Sequence, residues 1–330
     1  MKKVYKVAIV GGGSAGLITA IELTQGDNKI NGEDVVILEK NDRILKKLIA
    51  TGNGQANLSN ANLTSANYYG DADFIKEYFN TKGAFSVEDY FSALGLPFCV
   101  LSDGRKYPLS RQANAVVDIL RFNIANRNVG LYTDFEVKNL VYNKGIYEII
   151  GKETVYAEKV VLAVGGKASP SFGTDGKSYS LAEKFGHKLT SLYPSLVQVK
   201  TEIDKIKGLK GIKEHAKVSA YDGNTLIKSE TGDLLFTEFG VSGSAVFQVS
   251  GHLAKAKNPI IKIEFLPELN KEELTNVLLK RQSNLPDIPK NDYLLGILHK
   301  KLGHNFPFPK NAVGSNPTIY RRISALNMRN

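Results

Sequence analysis

The sequence contains no tryptophan and a single cysteine, Cys99, in 330 residues. One cysteine excludes an internal disulfide and a zinc site built from cysteines, and it fits a reducing compartment. The residues around Cys99 are apolar, which favours a packed thiol over a catalytic nucleophile. No apolar run approaches the roughly 18 residues of a membrane helix. We therefore expect a cytoplasmic protein with no membrane partner.

Several signatures of catalysis and metal binding are missing as well. There is no Ser-His-Asp order, no His-Glu-x-x-His motif and no pair of carboxylates at a spacing that predicts acid–base chemistry. His187 stands near a predicted helix end without partner ligands, so no metal site is predicted. The catalytic residues stay unassigned, since Arg105 and Tyr107 suit substrate contact and a structural loop anchor equally well.

Acidic residues are fewer than basic ones, 33 against 43, which gives a formal net charge of +10. Such a balance attracts nucleic acid or other anionic ligands. However, the lysines are scattered and no basic–aromatic array is present, so a solvated surface is favoured and no nucleic-acid partner is predicted. The phosphates of a dinucleotide would suit the same basic field.

A glycine cluster follows an apolar strand within residues 7–20. Gly11, Gly13 and Gly16 have the G-x-G-x-x-G spacing of a dinucleotide-binding turn. The first glycine permits the tight turn, the second lets a pyrophosphate approach the backbone, and the third lets the helix pack against the strand. The helix is expected to begin near Ser14, with its free N–H groups and positive dipole end toward the phosphates.

A second predicted strand, residues 34–38, ends at Glu39, about 20 residues after the last glycine of the motif. A carboxylate at this place accepts a hydrogen bond from a ribose hydroxyl in dinucleotide-binding folds. The ordered series of strand, glycine loop, helix, strand and acid favours such a fold over a plain glycine-rich turn. The pattern suits FAD and NAD alike.

The later chain changes character. An apolar strand at 159–164 runs into Gly165 and Gly166, is followed by a helix to about His187, and is expected to return to the first sheet. Beyond residue 193 the strands are short and punctuated by turns. We therefore expect a dinucleotide-binding domain, residues 1–193, and a second domain, residues 194–330, that is rich in β-strands and also helical.

Within the second domain we expect a strand at 196–200 and helices at 270–281 and 292–301.

In the first domain, a loop at 52–57 contains two glycines within three residues, flanked by amide side chains. It can bring backbone N–H groups against a planar ligand or a phosphate, and a plain surface turn is the alternative.

Together these segments resemble a family of bacterial flavoproteins, the aminoacetone-oxidase or BaiN/RdsA-like NAD(P)/FAD-dependent oxidoreductases. The resemblance spans about residues 4–301, and the segments that carry it are 10–17, 52–60, 104–108, 165–176 and 232–243. It implies an α/β fold: a glutathione-reductase-type, Rossmann-like FAD-binding domain with an inserted β-rich plus helical domain. It implies FAD as cofactor, NAD(P) as an electron partner and a small-molecule substrate of amine or carbonyl type.

The resemblance places the adenosine diphosphate half of FAD on the first glycine loop and the 52–57 loop near the flavin. The residues expected to bind the cofactor are Gly11, Gly13, Ser14, Ala15, Gly16, Glu39, Lys40, Gly52, Asn53, Gly54, Asn57, Val137, Ala163, Gly165, Gly166 and Asp175.

The chain departs from the family pattern in two places. Gln55 and Ala56 stand where the family has Arg-Cys, which removes a cation and a thiol near the expected flavin. The family's last Gly-Glu…Gly-Gly-Tyr-Asn segment is not found before Asn330, so we expect an incomplete cofactor site, weakened FAD binding and low turnover. Two alternatives stay open: a non-enzymatic flavoprotein remnant and an NAD-dependent dehydrogenase.

Overall fold

The computed structural model describes residues 2–27, 29–68, 70–82, 86–305 and 320–324. The chain divides into two compact units, Met1–Leu189 and Thr190–Asn330. This division lies a few residues before the boundary expected from the sequence. Within the described ranges, no helix is both long enough and apolar enough to cross a bilayer.

The first unit combines a six-stranded sheet, a three-stranded sheet and six helices among its described residues. Its strands are β1 (Val4–Val10), β2 (Val35–Leu38), β3 (Ser59–Asn60), β4 (Phe98–Val100), β5 (Arg105–Pro108), β6 (Gly130–Tyr132), β7 (Asn139–Asn143), β8 (Ile146–Ile150) and β9 (Thr154–Leu162). Its helices are α1 (Ser14–Leu23), α2 (Lys46–Ala50), α3 (Ala72–Lys82), α4 (Val87–Ala93), α5 (Ala113–Asn126) and α6 (Tyr179–Glu183).

The larger sheet has the order β6-β2-β1-β9-β8-β7, and its first four strands are parallel. Val10 aligns with Leu38 on one side and with Leu162 on the other, so the ends of β1, β2 and β9 meet at one edge. The predicted return of the late apolar strand to the first sheet is therefore confirmed. The predicted Rossmann-like α/β fold is confirmed with it.

Both faces of this sheet are buried, which explains why its parallel strands are apolar at successive positions. Val7 and Ile9 pack on one face in a cluster that includes Leu17 and Leu120 from α1 and α5. The alternate residues, such as Ala8, pack on the other face in a cluster with residues of β7 and β8.

The second unit is built on an antiparallel sheet with the order β10-β13-β12-β11-β14-β15. Its strands are β10 (Val199–Lys200), β11 (Lys213–Asp222), β12 (Thr225–Phe236), β13 (Gly240–Ser242), β14 (Pro259–Phe265) and β15 (Tyr320–Ser324), and its described helices are α7 (Ser244–Leu253), α8 (Lys271–Asn284) and α9 (Lys300–Asn305). The core of the unit joins residues of β11, β12 and β14 to the apolar faces of α7 and α8.

Three local predictions were wrong in extent or type. The helix predicted at 292–301 is absent, because Gly296 has a φ of 75°, and the helix α9 begins only at Lys300. The strand predicted at 196–200 is reduced to β10, since Leu196 has a left-handed φ of 55°. The helix predicted to reach His187 ends at Glu183, and a left-handed glycine follows it.

Candidate functional site

The glycine loop between β1 and α1 contains two kinds of glycine. A Cβ added at Gly11 would lie 2.4 Å from the carbonyl oxygen of Ala163, and one added at Gly16 would lie 2.0 Å from the carbonyl oxygen of Gly11. Both positions therefore need glycine for close backbone packing, and Gly11 also has a φ of 113°. A Cβ at Gly13 would meet no atom within 4 Å. That position faces space that a ligand can fill.

The N-terminus of α1 opens onto the same space. Gly13 is the N-cap, no side chain caps the first turn, and that turn has no acidic residue. The N–H groups of the first turn have no partner inside the helix, and the helix dipole adds a partial positive charge. This end of the helix can therefore bind a phosphate group.

Glu39, directly after β2, is buried at 7% exposure. Its Oε2 accepts from the backbone N–H of Gly12 at 2.7 Å, and its Oε1 accepts from the backbone N and the Nδ2 of Asn41 at 2.8 and 2.6 Å. An ionised carboxylate has about four acceptor positions. One position is therefore left for a hydroxyl of a ligand, while the other contacts hold the side chain in place.

These elements surround a cavity of about 620 Å³, which lies in the size range of small-molecule sites. The predicted residues in its wall are Gly11, Gly13, Ser14, Ala15, Glu39, Lys40, Val137, Ala163 and Gly165. They come from the ends of β1, β2 and β9, from the first turn of α1 and from the loop after β6. The structure thus brings together residues that are more than a hundred positions apart in the chain.

The other predicted residues lie outside the wall. Gly16 packs beneath the loop, and Asp175 stands 3.9 Å from the Nζ of Lys40, a wall residue. Gly166 lies beside the hydroxyl of Tyr179, which does line the cavity. The loop residues Gly52, Asn53, Gly54 and Asn57 do not line it, although Thr51 directly before them does.

The 52–57 loop has an unusual backbone. Gly52, Asn53, Gly54 and Ala56 all have left-handed φ angles, between 55° and 81°. The C-terminal end of the loop is fixed, because the backbone N–H of Leu58 donates to the backbone carbonyl oxygen of Lys106 at 2.8 Å and β3 pairs with β5. Left-handed non-glycine residues such as Asn53 and Ala56 are costly, and they concentrate at functional sites.

Arg105 and Tyr107 support this loop. Tyr107 is buried, and its Cε1 would lie 3.0 Å from a Cβ added at Gly52. Arg105 forms an ion pair with Asp103 at 2.6 Å and donates to the hydroxyl of Tyr107 at 3.3 Å. The guanidinium keeps the pKa of Asp103 below its ordinary value. These contacts favour the loop-anchor interpretation for both residues.

The sequence reasoning missed several wall residues. They are Val10, Gly12, Leu38, Asn41, Arg43, Leu45, Lys46, Lys47, Leu48, Thr51, Phe135, Glu136, Leu162, Val164, Phe172, Gly173, Thr174, Ser178, Tyr179 and Ala182. Two signals were available: Gly12 and residues 172–174 lie in segments that carry the family resemblance, and the segment after Glu39 is rich in basic residues. Among the described residues, no group of three His, Cys, Asp or Glu side chains could hold a metal ion.

Comparisons with known proteins agree with this geometry. A model of the HI0933-like protein Rossmann domain matches residues 5–276. The 3-dehydro-bile acid delta(4,6)-reductase of Clostridium scindens is 34% identical over 303 residues, which cover 90% of this chain and 73% of that protein.

Two more distant relatives have a different name. The ribosomal RNA dihydrouridine synthase of Haemophilus influenzae is 25% identical over 305 residues, covering 89% of this chain and 72% of the relative. The enzyme of that name from Escherichia coli is 24% identical over 277 residues, which cover 82% of this chain and 66% of that enzyme.

Two expectations from the sequence are not tested by these comparisons and stay predictions. They are the loss of a last segment and the cellular compartment.

Proposed function

We propose a reaction for this chain on the premise that it belongs to the HI0933-like family of FAD-dependent oxidoreductases. The family resemblance seen in the sequence is confirmed, and the chain is an oxidoreductase. The reaction that we propose is the reduction of a carbon–carbon double bond conjugated to a carbonyl group. The substrate class is a small polycyclic enone, and NAD(P)H is the electron donor.

One observation carries this proposal: the name of the relative that is 34% identical describes a reductase of a 3-dehydro bile acid. The name of the more distant relatives describes a synthase of dihydrouridine, which forms when the double bond of a uracil ring is reduced. Both bonds are conjugated to a carbonyl group. The higher identity supports the small-molecule substrate, which also agrees with the carbonyl-type substrate expected from the sequence.

The residues of the cavity fit FAD. The open position at Gly13 leaves room for a diphosphate beside the first turn of α1, and Glu39 keeps an acceptor for a ribose hydroxyl. Gly11, Ser14, Ala15, Lys40, Val137, Ala163 and Gly165 would line the bound cofactor. The anchored 52–57 loop would position the flavin ring. Reduced FAD supplies a hydride when it is bound.

The test is single turnover without oxygen. Purified protein is loaded with FAD, reduced, and mixed with a 3-oxo-4-ene steroid while the flavin absorbance is followed. We expect rapid reoxidation and a steroid product that has gained two hydrogens, one as hydride at the carbon β to the carbonyl and one as a proton at the α carbon. Reoxidation no faster than in buffer alone would refute the proposed reaction.

A second candidate is the reduction of uridine in ribosomal RNA. The two relatives named for that reaction and the net charge of +10 favour it, although the sequence analysis predicted no nucleic-acid partner. The same reduced protein is mixed with unmodified ribosomal RNA, and dihydrouridine is measured by mass spectrometry of the nucleosides. Product in this experiment and none with the steroid would select the RNA reaction.

A further inference from the structure

We propose that Arg43 and Lys47 form an anion-binding pair that holds the diphosphate of the bound dinucleotide against the N-terminus of α1. The identity of the dinucleotide, FAD, rests on the proposed function. The anion site itself rests on the position and the charge of these two side chains in the cavity wall.

The segment that carries the pair is fastened to the glycine loop. The backbone N–H of Leu45 donates to the carbonyl oxygen of Gly12 at 2.9 Å. Ile44 is buried against the same glycine, since a Cβ added at Gly12 would lie 2.6 Å from its Cγ2. Leu45 has a left-handed φ of 61° and caps α2. Arg43 and Lys47, two residues to either side of Leu45, therefore line the cavity beside the glycine loop.

Some of the basic side chains in the cavity wall are paired with a carboxylate, and others are not. Lys40 lies 3.9 Å from a carboxylate oxygen of Asp175, and Lys46 lies 2.5 Å from one of Asp42. In contrast, Arg43 and Lys47 form no ion pair with a carboxylate of the described residues, and both are exposed at the cavity. A diphosphate carries about two negative charges, one for each phosphate. The two cations that have no carboxylate partner in the described part of the chain match that charge.

Two carboxylates, Glu39 and Glu136, also line the wall. Glu39 already accepts three hydrogen bonds from Gly12 and Asn41. Glu136 follows Phe135, whose N–H donates to the backbone oxygen of Glu39 at 2.8 Å, so the backbones of the two glutamates are held close together. An anion at the glycine loop would meet the first-turn N–H groups of α1 together with the two cations, because the hydrogen bond from Leu45 to Gly12 holds their segment beside the same loop.

The proposal is tested by binding rather than by turnover. Arg43→Gln, Lys47→Gln and the double variant are titrated calorimetrically with FAD, ADP and adenosine. The control is Arg121→Gln, which removes an exposed charge from α5, outside the cavity wall. Each single variant should bind FAD and ADP about 10-fold more weakly, and the double variant about 100-fold, as expected for charge-assisted contacts. Adenosine binding should not change, because adenosine has no phosphate.

Unchanged ADP and FAD affinity in the double variant would overturn the proposal. So would an equal loss for adenosine, which would show a general disturbance of the pocket. A third arm compares a carboxylated with an uncharged steroid enone. A higher KM for the carboxylated enone alone, with FAD and ADP affinity intact, would show that the pair binds an anionic substrate and would also overturn the diphosphate assignment.

The two proposals can fail separately. ADP titration involves no enone, so a dependence of ADP affinity on Arg43 and Lys47 supports the anion site even where the steroid assay is negative. Conversely, turnover of the enone with wild-type ADP affinity in the double variant refutes only the anion site. Thermal melting of each variant without ligand verifies that the fold is unchanged.

Discussion

The two six-stranded sheets of this protein place side chains in different ways, and in the first unit the sheet gathers the residues of the cavity at one edge. In the first unit, β1, β2 and β9 run parallel, so their carboxyl ends lie side by side and bring together Gly11, Glu39 and Ala163. In the second unit neighbouring strands run in opposite directions, so strand ends of one type alternate between the edges. Parallel order thus concentrates the predicted site in the first unit.

The two units also differ in how their positive charges are paired. In the second unit, several lysines on the strands pair with carboxylates nearby, among them Lys213 with Asp233 at 2.9 Å and Lys228 with Glu230 at 2.9 Å. In the first unit, the cavity wall keeps Arg43 and Lys47 without ion pairs among the described residues. A positive net charge therefore says little about a ligand until the structure shows which cations are already neutralised.

The largest effect should come from glycines that are packed against backbone. Gly16→Ala puts a methyl group 2.0 Å from the carbonyl oxygen of Gly11, and Gly240→Ala puts one 1.9 Å from that of Val199. Each should lower the free energy of unfolding by about 3 kcal/mol or more, since the backbone must move. Hydrogen exchange during urea unfolding should show that Gly16→Ala destabilises the first unit and Gly240→Ala the second. If each variant destabilised the other unit instead, the two sheets would not be stabilised separately as described.

Gly13 tests the opposite role of a glycine in the same loop. Gly13→Val should weaken FAD binding at least about 100-fold, or about 3 kcal/mol, because the side chain fills open space beside α1. The free energy of unfolding should change by less than about 1 kcal/mol. Equilibrium dialysis with FAD measures the first value and urea unfolding the second. Equal FAD retention by variant and wild type would contradict the assignment.

A smaller loss is expected for Glu39→Ala. Its removal should weaken FAD binding by about 1.5–3 kcal/mol, the scale of a hydrogen bond to a charged group. It also leaves the N–H of Gly12 without its acceptor and destabilises the first unit. The matched control is Asp222→Ala, which removes the acceptor of the Asn258 N–H in the second unit. The control should lose stability and keep its FAD affinity, as measured by flavin fluorescence.

The smallest effect concerns Tyr5 of β1. Burial and the hydrogen bond to Tyr132 raise the pKa of Tyr5 to about 12. A raised pKa in the folded state gives a stabilisation that is present below the ordinary value of 10 and is lost as the pH rises through about 12. Tyr5→Phe should therefore show a smaller fall in Tm across this window than wild type. An identical pH profile would show that this tyrosine does not titrate with folding.

Much of the first unit could be predicted because its signals are local. The spacing of Gly11, Gly13 and Gly16 and the place of Glu39 depend on a single strand–loop–helix–strand segment. The second unit was harder, since β10 and α9 are shorter than the apolar pattern predicts. Left-handed residues at Leu196 and Gly296 interrupt both predicted elements, and periodicity alone does not show the backbone angle of one residue.

What the sequence alone determined is the glycine loop and the acid that follows β2, because each lies within a short stretch whose chemistry fixes its conformation. The family resemblance was also visible in the sequence, because it rests on five short segments in a fixed order. Tertiary structure decided which of the predicted residues share a cavity and which further residues join them. Ala163 reaches its wall because β9 pairs with β1, and Val137 reaches it from the loop after β6, which Phe135 binds to Glu39. Arg43 and Lys47 reach it through the hydrogen bond from Leu45 to Gly12. Contacts between residues far apart in the chain depend on packing, which no local pattern records.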